Sequence, residues 1–72
     1  MTADRSWVTK AAGEVQTGDR LRLASGTELT VTRIERAFLG YEELICFIED
    51  SEVQWLAQAM SPTSEIEASP SP

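Results

Sequence analysis

Seventy-two residues, 42% of them hydrophobic, carry a net charge of −6, no histidine and one cysteine. That length suits one small domain. The missing histidine removes the commonest general base and metal ligand, and a lone thiol makes neither an internal disulfide nor a metal-binding thiolate cluster.

In chain order, residues 1–5 are expected to be a flexible start. The ordered unit then opens on "SWVTKAAGE", where Trp7 and Thr9 alternate with Val8 and Lys10 as in a short strand or extended arm. Gly18-Asp19 is a turn signal. Arg20 to Leu23 alternates with a period of two, so Leu21 and Leu23 face inward and Arg20 and Arg22 outward. Ser25-Gly26 closes a tight hairpin. Leu29 and Val31 continue one face, but Ile34 falls three positions after Val31, which calls for a bulge or bend near Thr32–Arg33. Gly40 marks the next turn. It leads into "ELICFIED", with Leu44, Cys46 and Ile48 on one face and Ile45 and Phe47 on the other. Apolar residues on both faces indicate a central strand or an outer face covered by something else. Cys46 is expected to serve there as a small core hydrophobe.

"DSEVQWLAQAM" supports two readings. As a helix, Val53, Leu56, Ala57 and Met60 share a face, and Ser51 with Gln54 has capping-box spacing. As a strand, Glu52–Leu56 follows the natural turn Asp50-Ser51, and this reading is favoured. From Ser61 the chain reads "SPTSEIEASPSP", with Ile66 as its one large aliphatic side chain. A segment so poor in apolar surface is expected to stay disordered over residues 61–72, leaving 6–60 as the domain.

The charges are segregated. All six basic residues precede Ala37, and seven acids with no base follow it. Arg20, Arg22, Arg33 and Arg36 form a basic patch if their strands are neighbours. Phe38 and Tyr41 either pack in the core and at its edge or line one groove with those arginines. Trp55 reads as core, and Trp7 equally as core or contact. Paired carboxylates are the remaining option for catalysis, at Glu42, Glu43, Glu49, Asp50 and Glu52, where solvated turns are the ordinary outcome. Those acids lack the ordered spacing of a calcium loop. No run of about 20 apolar residues and no basic leader ahead of an apolar stretch occurs, so neither a membrane span nor a signal peptide is expected.

The pattern Val15-x-x-Gly18-Asp19-Arg20-Leu21-Arg22-Leu23, followed by Gly26 and the strand around Val31, resembles the opening hairpin of small bacterial SH3-like barrels. The likeness is to their KOW-type and accessory-domain forms in particular. It implies an all-β fold, a five-stranded SH3-like barrel, with a short antiparallel sheet and one C-terminal helix as the alternative. Members of that broad group bind proteins or RNA, so the resemblance leaves function open.

The expectation is a non-catalytic, cytoplasmic accessory or regulatory module, without cofactor or metal, that binds another protein or itself. Its contacts are expected among Trp7, Arg20, Arg22, Arg33, Arg36, Phe38, Tyr41 and Phe47. The alternative is a barrel that binds single-stranded nucleic acid through the arginines, which the net negative charge disfavours. A small-ligand or enzymatic role at the acidic turns stands third.

Overall fold

Two glycines and a run of alternating leucines begin the fold. The chain turns at Gly18 (φ 96°), runs out as Arg20–Arg22, turns again through Gly26 (φ 92°) and returns as Glu28–Thr30. Leu21 and Leu29 face each other across this hairpin, both fully buried. The computed structural model describes residues 7–69. Along them lie β1 (Val8–Ala11), a single 3-10 turn (Ala12–Glu14), β2 (Arg20–Arg22), β3 (Glu28–Thr30), β4 (Arg33–Leu39), β5 (Glu42–Asp50), β6 (Trp55–Met60) and β7 (Glu65–Ser69).

These strands make two antiparallel sheets, one ordered β1-β7-β2-β3 and the other β4-β5-β6. The parity break at Ile34 marks the corner between them. At this corner Thr32 donates its backbone N–H and its hydroxyl to the Ile48 carbonyl, at 2.8 and 3.0 Å, and its Oγ1 accepts the Asp50 N–H at 2.9 Å. A tight hairpin then joins β4 to β5 through Gly40 and Tyr41. Of these two residues only Gly40 has positive φ (66°), which suits a two-residue loop with a glycine first.

The core fills the space between the sheets. Leu21, Leu29 and Ala68 of the first sheet meet Ile45 and Phe47 of β5, with Val31, Val15 and Ala12 sealing the sides. Complete burial of Phe47 contributes about 3 kcal/mol. The radius of gyration, 12.4 Å, exceeds the roughly 11 Å of a compact chain this long. The excess fits the β4–β5 hairpin, whose tip stands clear of the body.

Three expectations are corrected. No five-stranded SH3-like barrel forms, and the resemblance over Val15–Ile34 does not extend to a closed sheet. β2 and β3 form the expected hairpin, but β7 takes the place beside β2, and the two sheets stay open. The alternative with a C-terminal helix fails as well. Trp55–Met60 pairs residue for residue with β5, and that pairing overrides the helix propensity of "LAQAM". Finally, Glu65–Ser69, expected within a disordered tail, is a strand flanked by β1 and β2, with Ile66 and Ala68 buried. The expected flexible residues 1–5, and residues 70–72 of the tail, lie outside the described residues.

Candidate functional site

Strand pairing decides the fate of the four arginines. Arg20 and Arg22 lie on the outer face of the first sheet, while Arg33 and Arg36 belong to β4 in the second. Each lies beside a carboxylate, on a neighbouring strand for three of them and along its own strand for Arg33. Arg20 Nε pairs with Glu28 Oε1 at 3.0 Å, Arg33 Nε with Glu35 Oε2 at 3.2 Å, and Arg36 Nη1 with Glu43 Oε2 at 3.3 Å. Arg22 binds Glu67 through two nitrogens at 3.0 and 3.2 Å, and its guanidinium lies 4.4 Å from the centre of the half-buried Trp7 ring. The hydrogen bond from Arg22 lowers the Glu67 pKa, and the same bond raises that of Arg22. Lys10 Nζ, at 3.1 Å from Asp19 Oδ2, completes the series. Every cation among the described residues is therefore paired, and no joint basic patch exists there. Glu14, Glu42, Glu49, Asp50, Glu52 and Glu65 have no cation within ion-pair distance among the described residues.

The acidic turns are not alike. Glu49 is 6% exposed and ties the two sheets together. Its Oε1 accepts the Thr30 N–H of β3 at 2.8 Å and the Gln54 amide at 2.7 Å, while Oε2 accepts the Ser51 hydroxyl at 3.3 Å. Burial pushes its pKa up, but the bonds from Thr30, Gln54 and Ser51, with the charge of Arg20, outweigh burial and hold it below the ordinary value. That is opposite to the shift a general acid needs. Among the described residues no cluster of three or more acids or thiols is arranged to hold a metal.

The aromatic and aliphatic side chains supply the more distinctive surface. Phe38 is 73% exposed, Leu39 71%, and Tyr41 fully exposed at the hairpin tip; Val53, in the turn before β6, is 88% exposed and Trp55, at the start of β6, 60%. Trp55, read from sequence as core, is thus on the surface, and so is Phe38, for which core and groove both stood open. Phe47, grouped with the contacts, is fully buried. Cys46 is half-buried rather than in the core, on the outer face of the second sheet between Glu35 and Ala59. Sequence reasoning named neither Val53 nor Leu39 as a contact, although each flanks a turn signal.

Another feature lies where the sheets part. β6 and β7 are consecutive, joined through Ser61–Ser64, yet belong to different sheets. Between them and the β2–β3 turn is a cleft of about 440 Å³, whose apolar wall is Leu23, Met60 and Ile66 and whose rim includes Glu65 and the Arg22–Glu67 pair. No helix among the described residues is long and apolar enough to cross a membrane. Comparison with protein-family models, curated proteins and solved structures finds no match to this chain.

Proposed function

We propose that the chain is a non-catalytic module that binds another protein through its three-stranded sheet. One observation carries the reading: of six large hydrophobic side chains exposed among the described residues, all but Val8 lie on that sheet or its turns. Exposed aromatic and aliphatic groups concentrated on one element are the usual mark of a contact surface. The remaining acids and the paired cations favour a partner with positive charge. The nucleic-acid alternative needs free cations, and the ion pairs occupy all those described. An accessory role in the reducing cytoplasm accords with the lone thiol.

A photo-crosslinking amino acid placed at Tyr41, Val53 or Thr9 in cells tests the reading. Discrete protein adducts from Tyr41 or Val53, and none from the exposed Thr9 of the first sheet, are expected. Adducts from Thr9 alone, or salt-dependent binding of single-stranded RNA at about 50 mM salt, would count against it.

A further inference from the structure

We infer that the free edge of β6, together with the cleft beside it, receives an extended segment of a partner protein as an added strand, one that turns apolar and basic residues to the cleft. The inference rests on the protein-binding reading and specifies its partner.

An open sheet leaves unpaired backbone groups along each edge, and natural proteins shield those edges with charge, proline or brevity. Three of the four edges here are shielded. β1 carries Lys10, β3 has three residues and its Thr30 N–H is taken by Glu49, and β4 carries Arg33, Glu35 and Arg36. β6, "WLAQAM", has six residues with neither charge nor proline. Among the described residues its backbone pairs with no strand but β5, and its one further backbone bond is local, the Gln58 side-chain amide donating to the Ala59 carbonyl at 3.1 Å. It is the one long unshielded edge.

The side chains next to that edge indicate what pairs with it. Leu56, Gln58 and Met60 share the face of β6 that looks toward the core, and Gln58 and Met60 line the cleft. An added strand therefore projects alternate residues past them toward Leu23 and Ile66, which selects apolar groups of moderate size. Glu65 on the rim has no cation among the described residues, while Glu67 is held by Arg22. A basic residue two positions along the added strand, and so on the same cleft-facing side as its apolar groups, answers the free carboxylate. A second copy of this chain is a poorer occupant, because its own β6 brings no positive charge to Glu65 and each copy carries −6.

The test titrates the isotopically labelled full chain with a peptide about eight residues long to match a strand, with valines and lysines on one face and threonines on the other. Two controls replace its lysines by glutamates or N-methylate alternate amides. The expected result is shifted signals and slowed amide exchange at Trp55–Met60 and Glu65–Glu67. N-methylation should weaken binding at least about tenfold by removing ladder hydrogen bonds. Glu65→Gln, at an exposed position, should weaken it about two- to threefold and reduce its salt dependence. Equal binding of the N-methylated or glutamate peptide would overturn the inference, as would no change at β6 up to about 1 mM peptide. A dimer that protects β6 would also overturn it, in favour of self-association. Crosslinking from Tyr41, which lies outside the cleft, judges the protein-binding reading separately.

Discussion

Replacing Glu49 by alanine should cost about 3 kcal/mol, because it strips a charged acceptor from the Thr30 N–H and the Gln54 amide at the junction of the sheets. The figure follows from roughly 1.5 kcal/mol for each charge-assisted bond, with the Ser51 contact, at 3.3 Å, left out as weak. Set against the roughly 4–10 kcal/mol that stabilises a chain of this size, the loss is large. Urea unfolding followed by tryptophan fluorescence should show a midpoint lower by about 2–3 M, given a slope near 1 kcal/mol per molar for a small protein. A pH series adds a second check. Folding lowers the Glu49 pKa beneath its ordinary 4.5, so its contribution is complete above that value and is lost as pH falls through the folded one. The gap between the wild type and Glu49→Gln should accordingly be widest near neutrality and shrink as pH falls below 4.5. A midpoint shift for Glu49→Ala below about 0.5 M would refute the tie between the sheets.

Three further outcomes are expected. Ile66→Ala should destabilise by about 2–4 kcal/mol in the same assay, whereas in a disordered tail it would change nothing. Gly40→Ala should cost about 1–2 kcal/mol by backbone conformation alone, since a Cβ there meets nothing within 4 Å while φ is +66°; thermal melts would show it. Phe38→Ser with Tyr41→Ser should leave stability within about 0.5 kcal/mol yet abolish crosslinking from Val53, which separates contact from packing.

Local patterns made much of the fold legible. Gly18 and Ser25-Gly26 announced their turns, the leucines of β2 and β3 gave their inward face, and the misplaced Ile34 marked the corner. What stayed hidden depended on distant pairing. β7 has one large aliphatic residue in a serine- and proline-rich stretch, and its partners in β1 lie more than fifty residues earlier. Burial between β1 and β2, rather than composition, makes it a strand. The same holds for the arginines. Alternation showed that Arg22 points outward, but Glu67 reaches it only through the β2–β7 register. A patch that looked free in sequence is thereby neutralised. Trp55 was misjudged because an aromatic in an alternating strand ordinarily reaches a core, and here it lies on the outer face of the second sheet.

Amide hydrogen exchange on the full-length free protein tests the account most directly, because open sheets and a closed barrel differ at two strands. Glu67 and Ala68, flanked on both sides by β1 and β2, should exchange slowly. Alternate amides of Trp55–Met60, facing the unpaired edge, should exchange fast while the others are protected by β5. Uniform protection along β6, or rapid exchange throughout Glu65–Ser69, would contradict both the architecture and the binding edge drawn from it.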